Sequence, residues 1–362
     1  MHLPCLFLHL NPGIFPAMGR PRKYSRKSAS KRASDPILPQ DPTFKLTDQA
    51  DDTSALSPDE LDKALQKMRP SSFTPPEDEK DPRERLASPI GYTRKHGGLP
   101  PTSKKLGQNW LTDSGVIRSI ADSLEAKPGD LVVEIGPGTG ALTEQLLDNG
   151  YRVIGLEIDR RMIDHLESRW PDHERLTLMH VDVMKVEITD ITDGEPFKLI
   201  GNLPYNITSS LLFKLLDEFR AHPGIISRIV VLLQYEVALR LVAQPGDSEA
   251  SILSLLLRFW GEPELAIKVP KEVFHPRPKV DAGLLAMEVA PEPLHPVGHW
   301  STLLKLVKGT FSKRRKMLRN SVPGIVGIRP IEGIDFDWTR RPQTLSAAEY
   351  AILAEQLAPK RE

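Results

Sequence analysis

The sequence predicts an α/β protein with a Rossmann-like, mostly parallel seven-stranded sheet, followed by a small all-α part. Three observations carry this. Seven short apolar runs punctuate residues 131–289, the first five of them alternating with segments of helical period. A Gly-rich turn, Gly136-Pro137-Gly138-Thr139-Gly140, separates the first run from a helix. Beyond the Pro-rich break at Pro291, Pro293 and Pro296, only helical periodicity remains. Alternating strand and helix patterns imply a parallel sheet with helices on both faces.

Taken in order, regular structure starts near Lys104, and Ser114–Leu124 has helical spacing with Ser114 as its cap. Leu131–Ile135, Arg152–Leu156, Leu176–His180, Phe197–Ile200 and Ile229–Leu233 read as strands, the first of them buried. Ala141–Asp148, Arg160–Arg169, Ser209–Phe219 and Tyr235–Val242 read as the helices between or after them. Leu265–Val269 and Gly283–Val289 form a late strand pair, expected antiparallel to the rest. Leu303–Phe311, Lys313–Ser321 and Ala347–Leu357 are the expected C-terminal helices. The domains expected are a leader over 1–100, a sheet domain over 101–291 and a helical domain over 292–362.

The first hundred residues differ in kind. Gly19 to Arg32 is basic and Ser-rich, and Asp35 to about Arg85 is acidic and Pro-rich with few aromatics. Such composition buries too little apolar surface to offset chain entropy, so a disordered extension is expected. A short amphipathic helix at Pro58–Met68 is the exception. The basic run suits RNA contact or a solvated tail. Met1 to Ala17 lacks a basic n-region and carries Pro4, Pro12 and Pro16, so it reads as a non-structural leader or as sequence upstream of a start at Met18.

Lys+Arg and Asp+Glu both number 48 among 362 residues, but charge is segregated along the chain, so the zero net value does not exclude a nucleic-acid partner. The single cysteine, Cys5, excludes a disulfide framework and a cysteine metal site, and fits a reducing, cytoplasmic compartment. No apolar run approaches the roughly 20 residues that span a bilayer. No metal site is expected.

Two readings of Gly136–Gly140 compete: a dinucleotide turn, G-x-G-x-x-G, and the G-x-G-x-G turn of enzymes that bind S-adenosylmethionine. The third glycine is Gly140, and Ala141 stands at the dinucleotide position. Glu134, just before the turn, suits an ammonium and a sulfonium and gives a pyrophosphate nothing. Glu157, ending the second strand about 20 residues on, suits ribose hydroxyls, and Asp182, ending the third, can accept from an adenine amine. Three acids at successive strand ends lie where open α/β sheets bind ligands.

Gly201-Asn202-Leu203-Pro204-Tyr205-Asn206 follows the fourth strand. The Asn202 amide oxygen and the Leu203 carbonyl, held by Pro204, can accept both hydrogens of an exocyclic amine, and Tyr205 can stack on the base. Such turns also occur as plain loop punctuation.

Together these segments resemble the KsgA/Dim family of rRNA adenine N6,N6-dimethyltransferases, over about Ser103 to Leu357. The matching motifs are Lys105–Leu111, Glu134–Gly140, Leu156–Asp159, Asp182, Asn202–Asn206, Val273–Asp281 and Phe311–Asn320. The resemblance implies a class I methyltransferase fold and S-adenosylmethionine contacts at Asn109, Leu111, Gly136, Gly138, Glu157, Asp182 and Asn202, with Asn109 and Leu111 in a flap over the cofactor. It implies catalysis by Asn202, Leu203, Pro204 and Tyr205, with Phe274 as a second stacking ring. The implied substrate is two adjacent adenosines near the 3′ end of small-subunit rRNA, in free rRNA or an immature subunit, bound by a monomer. Trp110 stands where the family commonly has Phe, and His275 and Arg277 interrupt a Pro-rich run.

Lys313, Arg314, Arg315, Lys316 and Arg319, with Arg340 and Arg341, suit a phosphate-binding face. An Erm-type large-subunit enzyme shares the Asn-Leu-Pro-Tyr turn, but Phe274–Asp281 favours the small-subunit class. A non-catalytic RNA or DNA clamp is opposed by intact Glu157, Asp182 and Asn202, and a dinucleotide oxidoreductase is the remotest alternative.

Overall fold

The computed structural model describes residues 108–326 and 334–358. The leader, the Pro58–Met68 helix, the basic run near residue 20 and Lys105–Gly107 lie outside the described residues.

Chain order is β1 (Trp110–Leu111), α1 (Ser114–Asp122), β2 (Leu131–Ile135), α2 (Ala141–Asp148), β3 (Arg152–Glu157), α3 (Arg160–Arg169), β4 (Leu176–His180), α4 (Ile188–Ile191), β5 (Phe197–Asn202), α5 (Thr208–Ala221), β6 (Ile226–Gln234), α6 (Tyr235–Val242), α7 (Ile252–Leu257), β7 (Glu264–Val269), β8 (Phe274–His275), β9 (Ala282–Glu288), α8 (Trp300–Phe311), α9 (Leu318–Ser321), α10 (Pro323–Val326) and α11 (Ala347–Leu357).

The main sheet has seven strands in the order β4-β3-β2-β5-β6-β9-β7. Strands β2 to β6 pair in parallel, and β9 pairs antiparallel with both β6 and β7. This corrects one expectation: β9 alone runs against the sheet. The helical crossover through α6 and α7 returns β7 in the same sense as β6, and the segment 270–281 then folds β9 back between them. Every residue of β2 is buried, as expected of a parallel strand covered on both faces. Strands β3 and β5 flank β2 on opposite sides, so the chain leaves β2 at a switch in strand order, where open sheets form a ligand crevice.

Local chemistry sets the element ends. Helix α1 is capped by Asp113, whose Oδ1 accepts from Val116 N at 2.9 Å; Ser114 is the first helical residue, not the cap. At Gly140, which opens α2 at φ 80°, an added Cβ would stand 2.6 Å from Leu166 and 2.7 Å from Trp170, so only glycine lets the turn pack on α3.

Strand β1 has no counterpart in the sequence reading. Its two residues pair antiparallel with β8, Trp110 with His275 and Leu111 with Phe274, and Thr112 N donates to Val273 O at 2.9 Å. This pairing lays residues 108–111 across the carboxyl ends of the parallel strands.

In the C-terminal part, α8 begins at Trp300, whose ring stacks on Trp260 at 6.4 Å and tilts against Phe259 at 5.4 Å. Leu303, Leu306, Val307 and Leu353 share one buried cluster with Leu199, Leu215 and Leu257. Each such side chain contributes about 1.5–3 kcal/mol through burial. Thr310 and Tyr350 bridge α8 and α11 by a 2.8 Å hydroxyl bond. Of the expected Lys313–Ser321 helix only Leu318–Ser321 (α9) is formed. Residues 312–317 turn between α8 and α9, with Leu318 N and Arg319 N donating to Arg340 O (2.9 Å) and Trp338 O (3.0 Å).

Candidate active site

A cavity of about 240 Å³ opens at the carboxyl ends of β2, β3 and β5. Five parts of the chain meet there: residues 108–110, the Gly-rich turn, the end of β3 with the β3–α3 loop, residues 181–184 after β4, and the Asn202–Ile207 turn. A second cavity of about 50 Å³ lies beneath the Gly-rich turn.

Residues 108–111 are fastened at two points. Gln108 Nε2 donates to Asp159 Oδ2 at 3.0 Å, and the Asn109 carbonyl accepts from Asn202 Nδ2 at 2.9 Å. A carbonyl can only accept, so the Asn202 atom facing it is the NH₂ group, and the amide oxygen is the end turned elsewhere. Asp159 also binds Arg161, whose guanidinium, with help from Gln108, holds its carboxyl below the usual range. The clasp is therefore anchored on an ionised acid.

Glu157 is 5 % exposed and braces the Gly-rich turn: Oε2 accepts from Gly138 N at 3.1 Å and Oε1 from Asp159 N at 2.9 Å. Burial pushes its carboxyl above the ordinary value, opposed by these backbone donors. Each oxygen keeps a lone pair for a ligand hydroxyl. Asp182 borders the cavity, caps the following 3₁₀ turn through Met184 N at 3.0 Å, and lies 3.4 Å from Lys185.

Glu134 differs from the expectation that it faces the ligand directly. It is 1 % exposed, its Oε2 accepts from Thr143 Oγ1 at 2.6 Å, and it borders only the smaller cavity. Burial, with repulsion from Glu157 added, outweighs the Thr143 bond and raises its carboxyl to about 7.

Asn202, Leu203, Pro204 and Tyr205 all line the larger cavity. The Pro204 carbonyl is taken by Ile207 N (3.2 Å) and Thr208 Oγ1 (3.1 Å), which holds the turn against α5. Tyr205 is half-buried, and burial raises its phenol. Gly136 and Gly138 border both cavities, Asn109 the larger and Leu111 the smaller. Phe274 borders neither. It is 5 % exposed and packs with Leu111 and Ile117, so it anchors β1 in place of offering a stacking face.

Sequence reasoning missed Gln108 and Ile158. Ile158 is 48 % exposed beside the cavity, and an apolar residue between two strand-end acids is a signal for a flat ligand face. Among the basic residues, Lys313, Arg315, Lys316 and Arg319 are exposed, and Arg314 donates to Ser248 O. Arg340 binds Glu349 and the Thr344 carbonyl, so it serves the C-terminal fold and leaves the expected phosphate-binding face.

Comparison with known proteins gives a consistent result. The profile of the family described as "Ribosomal RNA adenine dimethylase" matches residues 101–332. "Ribosomal RNA small subunit methyltransferase A" of Alkaliphilus metalliredigens is 35 % identical over 270 residues, 72 % of this chain and 93 % of that protein. The protein of the same name from Syntrophotalea carbinolica is 38 % identical over 261 residues, covering 71 % and 97 %. Among solved structures, a dimethyladenosine transferase from Plasmodium falciparum superposes with TM-score 0.56 at 23 % identity, covering 68 % of this chain and 98 % of that one, a likeness of fold. The 23S rRNA methyltransferase ErmE gives 0.51 at 25 %, covering 68 % and 99 %.

Proposed function

The chain belongs to the ribosomal RNA adenine dimethylase family, and on that footing we propose that it dimethylates the N6 amines of two adjacent adenosines in the 3′-terminal hairpin loop of small-subunit (16S) rRNA, using S-adenosylmethionine. The observation that supports this reading is the Asn202 amide: Asn109 engages its NH₂ group at the edge of the cavity, which would leave its oxygen as the acceptor for the target amine.

The residues present fit the cofactor. Gly136 has open space where a side chain would stand, Glu157 and Asp182 border the cavity as acceptors for ribose and adenine, and the exposed Ile158 supplies an apolar face. Asn109, Leu111, Gly136, Gly138, Glu157, Asp182 and Asn202 would hold it. Bound S-adenosylmethionine supplies a methyl group activated by its sulfonium charge.

The chain's own work is alignment of the target amine, which contributes up to about 7–11 kcal/mol in ideal cases. An adenine amine is a weak nucleophile because its lone pair delocalises into the ring. Asn202 Oδ1 and the Leu203 carbonyl would accept its hydrogens and localise that pair. With the Pro204 carbonyl committed within the turn, the Leu203 carbonyl is the backbone acceptor assigned here. Tyr205 would stack on the extruded base, worth about 1–3 kcal/mol. Lys313, Arg315, Lys316 and Arg319 would contact RNA phosphates.

The small-subunit assignment rests on the relatives' names at 35–38 % identity over more than nine-tenths of their length. The same reading assigns residues 101–291 to catalysis and 292–362 to RNA contact, in a cytoplasmic monomer. Mass spectrometry of rRNA from cells lacking this protein tests it. Loss of N6,N6-dimethyladenosine from the small-subunit RNA supports the assignment; its full retention refutes it.

A further inference from the structure

Resting on that reading of the cavity, we propose that the Trp110 indole N–H donates a hydrogen bond to the carboxylate at the amino-acid end of S-adenosylmethionine. Trp110 sits on β1 and is 7 % exposed. Its Nε1 is buried and has no hydrogen-bond partner among the described residues. A buried donor without an acceptor is costly and rare, and it points to a group that binds there.

The place of the ring selects the acceptor. Trp110 borders both cavities, and a Cβ added at Gly138 would lie 3.5 Å from its Cδ1 and 3.6 Å from its Nε1. The indole edge thus lies against the Gly-rich turn. The start of α2 at Ala141 adds the positive end of a helix dipole to the smaller cavity. Glu134 also borders the smaller cavity, but it is buried and held by Thr143, so the indole N–H is the feature that selects the carboxylate. A charged acceptor makes the indole bond a strong one. A phenylalanine here would fill the space without supplying the donor.

The experiment compares S-adenosylhomocysteine with 5′-methylthioadenosine, which lacks the amino-acid end, by calorimetry on the full chain. Trp110→Phe should weaken S-adenosylhomocysteine about 10-fold, within the range of a charged hydrogen bond, and leave methylthioadenosine unchanged. An equal loss for both ligands, or none for either, overturns the proposal. Should the variant fail to fold, nitrogen–proton spectra of the native chain decide. The Trp110 indole resonance should move downfield with S-adenosylhomocysteine and stay with methylthioadenosine; identical shifts with both overturn it. If wild type binds neither ligand, the cofactor reading itself falls, and this inference with it.

Discussion

The Asn109 carbonyl accepts from Asn202 Nδ2 at 2.9 Å, across 93 residues of sequence. A segment that borders the cavity therefore holds the NH₂ end of the Asn202 amide, leaving the oxygen as the end available to the proposed substrate. On the proposed reading, covering the cofactor and orienting the acceptor would be one structural event that neither β1 nor β5 could supply alone.

Replacing Asn202 separates positioning from binding. Asn202→Ala should lower the methyl-transfer rate by at least about 100-fold, the scale of removing one oriented group from a transition-state site. S-adenosylhomocysteine affinity should fall much less, by no more than about 10-fold for the lost Asn202 contact, leaving much of the binding intact. Single-turnover transfer and calorimetry on the same preparation check this, and near-native turnover would remove Asn202 from its role.

Glu157→Ala should act in the opposite way. Its carboxylate braces Gly138 and Asp159 and would accept from ribose, so cofactor affinity should drop about 10- to 100-fold. Unchanged affinity by calorimetry would place the ribose elsewhere.

Glu134 predicts a pH dependence of stability. Its carboxyl lies near 7 when folded against 4.5 as the ordinary value. Between these values the folded state holds a proton that the unfolded chain releases. Its contribution is thus intact below pH 4.5, declines as pH rises to 7, and is flat above. The loss is on the order of 3 kcal/mol. Glu134→Gln should remove this slope, so the variant gains on wild type from pH 5 to pH 8 in urea denaturation. Parallel curves for the two proteins would contradict it.

The basic turn and Arg340 should part company. Arg315→Glu with Lys316→Glu should weaken RNA binding and reduce its log–log salt slope by about 1–2, without changing the melting temperature. Arg340→Ala should lower the melting temperature, because it strips Glu349 and the Thr344 carbonyl of their partner. Filter binding across a salt series and thermal melts distinguish the two.

Much of this architecture was legible in the sequence. Strands β2 and β4 and helices α2, α3, α6 and α11 have the boundaries read from periodicity, because long apolar runs and helical spacing set them. What was not legible depended on distant partners. A two-residue strand such as Trp110–Leu111 carries no period and exists only through its pairing with Phe274–His275. That pairing buries Phe274, which a linear motif cannot show. The direction of β7 likewise follows from β9 inserting beside it. Asp113 displaced Ser114 as cap because its carboxylate reaches Val116 N. Lys313–Lys316 resembled a helix by composition, but the chain turns there, and the bonds of Leu318 N and Arg319 N to the 338–340 segment hold the start of a separate short helix.

The most direct measurement is transfer of labelled methyl groups from S-adenosylmethionine to small-subunit particles lacking dimethyladenosine, with the product mapped by mass spectrometry. Two adjacent N6,N6-dimethyladenosines near the 3′ end of the small-subunit RNA, absent with Asn202→Ala, are the expected result. Label confined to large-subunit RNA, or none on any adenine N6, would contradict the account.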